Sequence, residues 1–135
     1  MEEIVSKDGS TLLHKIFRKE DFVESRTDIS PEEEYLQLSS LRMNKGKTFK
    51  PHKHIIHEKL TDIAQESWVV VRGKVKAILY DLDDQIIREV VLSQGDVSIT
   101  YRGGHNYLIL EDDTLVYEYK TGPYLGQELD KTFID

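Results

Sequence analysis

The sequence predicts an all-β fold, a small antiparallel β-barrel of the jelly-roll or double-stranded β-helix kind. Three observations predict it. From residue 35 onward the chain consists of short runs rich in Val, Ile, Leu and Tyr. Polar clusters of Asp, Ser, Gly and Gln separate these runs at intervals of about ten residues, as antiparallel hairpins require. No helix-period pattern of useful length competes after Tyr35.

Taken in order, the runs are "YLQLSSLRM" (35–43), "TFKPHKH" (48–54), "SWVVVRGKVKAILY" (67–80), "IIREVVL" (86–92), "VSITY" (97–101), "HNYLIL" (105–110) and "TLVYEYK" (114–120). The punctuation between them is "DLDD" (81–84), "SQGD" (93–96) and "EDD" (111–113). Residues 1–34 have a mixed texture and read as a lead-in, with "SPEEE" set up for one helical turn, Pro31 first and acids against the helix dipole. Residues 35–135 then form the barrel and its tail. In that tail, Gly122-Pro123 makes a turn that sends the chain back over the barrel.

With 135 residues, the chain has the size of one domain. It has no cysteine, which excludes disulfides, thiolate zinc sites and a cysteine nucleophile. The acidic N-terminus and the lack of an apolar run of about 18 residues predict a soluble cytoplasmic protein without a membrane partner. A net charge of −7 with interspersed signs argues against nucleic acid. Lys45, Lys47, Lys50 and Lys53 form a local basic run, expected to be a solvated face. No chemistry attaches to His14.

"GKTFKPHKH" carries the first candidate chemistry. On a strand, His52 and His54 project from one face at chelating distance. Alone, such a pair is a weak signal. Glu66 and His105 lie on other predicted strands and supply further nitrogen and oxygen ligands.

The spacings sharpen this. Gly46, five residues, His52-x-His54, then Glu66, six residues and Gly73 resemble the first motif of the cupin family, and Gly95 through Gly103 to His105 resembles the second. The likeness extends from about Leu36 to Val116. "ESWVVVRGKVKAILYD", "YEYKTGPY" and "DKTF" are similar to the WbuC-type cupin metalloproteins and to related small cupins of surface-polysaccharide and nucleotide-sugar biosynthesis. Two departures stand out. Eleven residues separate His54 from Glu66, where the motif has three or four, so His57 or Glu58 in that insertion is an alternative ligand to Glu66. The second motif lacks its usual proline and is one residue short before the histidine.

The resemblance implies one divalent transition metal, zinc, iron, manganese or nickel, held by His52, His54, Glu66 and His105, with positions open to water or substrate. Strand parity adds the surroundings. With Glu66 inward, Trp68 and Val70 share its face, and with His105 inward, so do Tyr107 and Ile109. Trp68 then offers a flat wall to a sugar ring, and the Tyr107 hydroxyl is the candidate catalytic proton donor. Tyr101 and Arg102, beside the double glycine, are candidate substrate-binding residues, the arginine for a phosphate or carboxylate. The expected activity is that of an isomerase, epimerase or lyase acting on a carbohydrate or nucleotide sugar. Alternatives are a metal-dependent oxygenase, a non-catalytic sugar- or metal-binding module, and a metal-free epimerase using histidine and tyrosine directly. Tyr117 and Tyr119 suit a homodimer interface.

Overall fold

The computed structural model describes residues 1–134, which form ten strands in three antiparallel sheets, none of them closed. The strands are β1 (Glu2–Val5), β2 (Leu12–Phe17), β3 (Arg26–Asp28), β4 (Ser39–Leu41), β5 (Glu66–Arg72), β6 (Lys74–Tyr80), β7 (Ile86–Ser93), β8 (Val97–Thr100), β9 (His105–Ile109) and β10 (Leu115–Lys120). The one α-helix, α1, is the single turn Gln127–Asp130. The five-stranded sheet has the order β1-β2-β8-β5-β10, the three-stranded sheet β7-β6-β9, and β3 pairs with β4.

These sheets make three layers. Ile4, Ile16 and Val70 from the large sheet meet Val75, Ala77, Leu79, Val90 and Leu92 from the three-stranded one, and this is the main core. On the other face of the large sheet, Phe17 and Val97 pack with Ile29, Phe22 and Leu38 beneath the β3–β4 hairpin. Strand β8 lies between both cores, and all four of its residues are buried. Its odd positions, Val97 and Ile99, are apolar; Ser98 and Thr100 alternate with them and face the main interlayer.

The all-β class and β7 through β10 agree with the sequence expectation. Other elements differ from it. The run 67–80 is two strands rather than one, because Gly73 adopts φ +85°, where a side chain would also run into Thr114. In the run 35–43 only Ser39–Leu41 is a strand. Residues 48–54 are not a strand at all, and residues 42–65 carry neither helix nor strand. Pro51 has no N–H for a ladder, and four lysines at positions 45, 47, 50 and 53 favour solvent over a sheet face.

Residues 1–34, expected as a lead-in, contribute β1 and β2 to the large sheet, where β2 pairs directly with β8. The residues "SPEEE" form a turn closed by the Glu34 N–H donating to the Pro31 carbonyl at 3.1 Å.

Candidate functional site

Strand register builds a polar row at one end of the otherwise apolar interlayer. Across the large sheet His14 lies opposite Thr100, Thr100 opposite Glu66, and Glu66 opposite Lys120. One pleat along, Ser98 lies opposite Trp68 and Trp68 opposite Glu118. From the facing sheet, β9 brings His105 opposite Leu79 and Tyr107 opposite Ala77.

The turn before β9 sets where His105 begins. Gly103 has φ +77°, and a side chain there would collide with the Tyr80 carbonyl. The Tyr80 N–H in turn donates to the Gly104 carbonyl at 2.8 Å. Glycine is therefore required by both conformation and space.

In this setting the Glu66 carboxylate lies 3.2 Å from His105 Nε2 and accepts a 2.9 Å hydrogen bond from the Trp68 indole N–H. The Trp68 ring stacks on Tyr107 at 4.0 Å and 11°. Tyr107 and Ser98 share a 2.9 Å hydroxyl–hydroxyl bond, and the His105 and Tyr107 rings are 5.3 Å apart. Parity thus pairs Glu66 with Trp68 on β5 and His105 with Tyr107 on β9, and the facing of the two sheets brings the four together, while Ile109 is 48% exposed.

With Nε2–H directed at the carboxylate, a neutral His105 leaves Nδ1 as an acceptor. That atom is buried and has no hydrogen-bond partner. A buried polar atom without a partner costs free energy, on the order of 1–3 kcal/mol, unless a ligand or water satisfies it.

Charge balance fits the geometry. Burial pushes the Glu66 carboxyl upward, but the His105 contact and the Trp68 hydrogen bond outweigh it and hold the group below its ordinary range. Burial drives the Tyr107 hydroxyl well above the ordinary tyrosine range, offset only in part by Ser98, so it stays protonated.

A cavity of about 640 Å³ opens over this group, within the size range of small-molecule sites. Glu66, Trp68, Thr100, His105 and Tyr107 line it, together with Lys120 on β10. The tail covers it: residues 130–134 belong to the lining, and Lys120 Nζ lies 3.4 Å from Asp130 and 4.1 Å from the Tyr124 ring centroid.

The remaining sequence-predicted residues stand elsewhere. Tyr101 is fully buried, its hydroxyl donates to Ser30 at 3.0 Å, and burial pushes its pKa up to about 12. Arg102 is paired with Glu34 at 2.6 Å, so its guanidinium is already engaged. Neither residue is among those lining the cavity. His52 and His54 lie on the exposed segment between β4 and β5, as do His57 and Glu58. Of the four expected metal ligands, only Glu66 and His105 meet at the cavity. Among the described residues no group of three or more His, Cys, Asp or Glu side chains is arranged to hold an ion. The residues in place therefore do not form the four-ligand cage implied by the resemblance.

Sequence reasoning passed over Ser98 and His14. Ser98 was available from parity on β8, two residues before Thr100. His14 gave no signal, because "LLHKIF" is buried along most of its length and lacks alternation. It is fully buried, with Nδ1 3.0 Å from the Thr100 hydroxyl and Nε2 3.1 Å from the Tyr80 carbonyl, behind the Gly103 turn. Tyr117 and Tyr119 are exposed at 61% and 55% on β10, an edge strand. Among the described residues no helix is long and apolar enough to cross a membrane.

Comparison of the chain with protein-family models, curated proteins and solved structures gave no match.

Proposed function

We propose that the facing sheets are those of a small cupin-type jelly roll and that the cavity is a carbohydrate site, acting as an isomerase or epimerase on a sugar or nucleotide sugar. The observation that carries this reading is His105: its ring is fixed by Glu66, and its Nδ1 is a buried acceptor with no partner. A carboxylate that orients an imidazole leaves the second nitrogen free to take a proton. In this reading substrate binding uncovers Nδ1, which is enclosed in the free protein, and Nδ1 then removes a proton from a carbon beside a carbonyl of the substrate. The Tyr107 hydroxyl, on the same face of β9 as His105 and kept protonated by burial, donates a proton to the carbonyl oxygen as the enediol forms, and the proton taken by His105 is then returned to the adjacent carbon. Proton exchange between the two residues and solvent restores the starting state, with no net consumption of acid or base. Trp68 and Tyr107 supply the flat apolar wall that a sugar ring packs against. No step is routed through a metal ion, since His52 and His54 are not at the cavity.

Trp68 is the only tryptophan in the chain, so its fluorescence reports on the cavity alone. Titration with a panel of hexoses and nucleotide sugars is expected to shift or quench its emission saturably, and His105→Asn is expected to weaken the response. A flat response across the panel contradicts the reading.

A second reading, a binding module without catalysis, is favoured by the Tyr107 hydroxyl being engaged with Ser98. It predicts the same fluorescence response without any turnover. A homodimer through the open edge of β10 completes the proposal. Light scattering should give the mass of two chains, and a monomer at micromolar concentration would remove this part.

A further inference from the structure

We propose, resting on the carbohydrate reading of the cavity, that it selects its ligand by charge. Glu118 sets the selection, so that the cavity takes a neutral, unphosphorylated sugar and turns away sugar phosphates and nucleotide sugars. The charged side chains of the lining carry this. Among the described residues, the strands and the turn after β6 bring three carboxylates to the cavity, Glu66, Asp84 and Glu118, against one ammonium, Lys120. The tail adds Asp130 and Lys131, whose charges cancel. The balance is therefore negative whether the tail lies over the cavity or away from it. A cleft lined by one sign of charge focuses its field on whatever enters.

Glu118 stands where that field matters. It lies opposite Trp68 in the β5–β10 pairing, and cross-strand partners share a face, so it sits beside the aromatic wall. Burial raises the Tyr107 hydroxyl most, and against the opposing Ser98 bond the Glu66 and Glu118 carboxylates raise it further. Both acids thus act on the Trp68–Tyr107 stack. A carboxylate accepts hydrogen bonds and donates none, so it suits the hydroxyls of a sugar ring. A phosphate brings it more acceptors and a like charge.

The one lining ammonium carried by a strand does not offset this. Lys120 Nζ already lies 3.4 Å from Asp130, 3.7 Å from Glu118 and 4.1 Å from the Tyr124 ring centroid. Burial disfavours its charge, yet Asp130, Glu118 and Glu66 outweigh burial and hold its pKa above the ordinary lysine value. A phosphate reaching Lys120 has to displace these carboxylates, and Glu66 and Glu118, being on the sheet, do not leave with the tail. Like charge set against the wrong ligand is a recurrent source of specificity.

Two measurements on the full-length protein test it. Quenching of Trp68, the only tryptophan, by caesium, iodide and acrylamide at fixed ionic strength, each normalised to free tryptophan amide, reads the charge at the wall without any sugar. Caesium is expected to be favoured over iodide by about twofold or more, with Glu118→Gln narrowing the ratio and Lys120→Gln widening it. The Glu118 side chain is 44% exposed on an edge strand, so its glutamine variant is expected to fold and to leave acrylamide quenching unchanged. Fluorescence titration with fructose, mannose and their phosphate monoesters is expected to favour each neutral sugar by about tenfold or more at low salt, the gap closing with added salt and in Glu118→Gln. Iodide quenching equal to that of caesium, a phosphate monoester bound as tightly as its parent sugar, or a gap unmoved by Glu118→Gln would overturn the proposal. Caesium favoured over iodide with no response to any sugar would uphold the charge selection and remove the carbohydrate reading, so the two failures are distinct.

Discussion

His14 illustrates how a residue without an apparent task can govern stability. It is enclosed between Thr100 and the Tyr80 carbonyl, and burial outweighs the favourable carbonyl contact, lowering its pKa from 6.5 to about 4. The folded protein thus holds His14 neutral across a range in which the unfolded chain protonates it. Between those two values the unfolded state binds more protons, so stability rises with pH and is lost as pH falls from about 6.5 towards 4. The loss attributable to His14 between pH 7.5 and 5 is on the order of 2 kcal/mol. Urea unfolding at the two pH values should record it. His14→Gln should flatten the profile over this interval while lowering stability at neutral pH. A wild-type profile that is flat between pH 7.5 and 5 would contradict the assignment. His105 differs in kind: its ring is anchored on one nitrogen only, and the other faces no partner. The first histidine has both nitrogens occupied and serves the fold; the second has one to spare.

At the scale of elements, the short turn Gly103-Gly104 and the tail position and enclose the site. Gly104 would, with a side chain, meet Ile134 of the tail, just as Gly103 would meet Tyr80. Ala at position 103 combines an unfavourable positive φ with a backbone collision, and a loss of about 2 kcal/mol or more is expected. The tail is different, since residues 121–134 are all exposed or half-exposed. Truncation after Gly126 should therefore leave the thermal melt nearly unchanged while making Trp68 more accessible to acrylamide quenching. Unchanged quenching would mean that the tail does not cover the cavity. The elements also differ in how legible they were. Strands β7 to β10 alternate or form short apolar runs between Asp- and Gly-rich turns, and period and punctuation agree. Strand β2 is buried along most of its length and shows no alternation, and β1 is only four residues long, so neither stood out from its polar surroundings. The run 48–54 has the right length for a strand, but Pro51 and its lysines leave it outside the sheets.

For the whole molecule, stacking a five-stranded sheet between a three-stranded sheet and a hairpin leaves one end of the main interlayer polar. Parity within single strands was enough to join Trp68 to Glu66 and Tyr107 to His105, because a two-residue period fixes the face of each side chain, whereas the meeting of Glu66 with His105 was implied only by the family resemblance. What parity does not fix is which strands face one another or how a long insertion runs. For that reason His52 and His54 were expected beside Glu66 and are instead on an exposed segment, and Tyr101 and Arg102 were expected at an open mouth and are instead bonded to Ser30 and Glu34. The central claim is that His105, held by Glu66, transfers a proton at a carbohydrate carbon. The most direct measurement is deuterium incorporation from heavy water into a panel of keto sugars and nucleotide sugars, followed by mass spectrometry. The account predicts that wild-type protein exchanges one carbon-bound hydrogen in a substrate that also perturbs Trp68 fluorescence, and that His105→Asn abolishes the exchange. Saturable binding without any exchange, or exchange that survives His105→Asn, would contradict it.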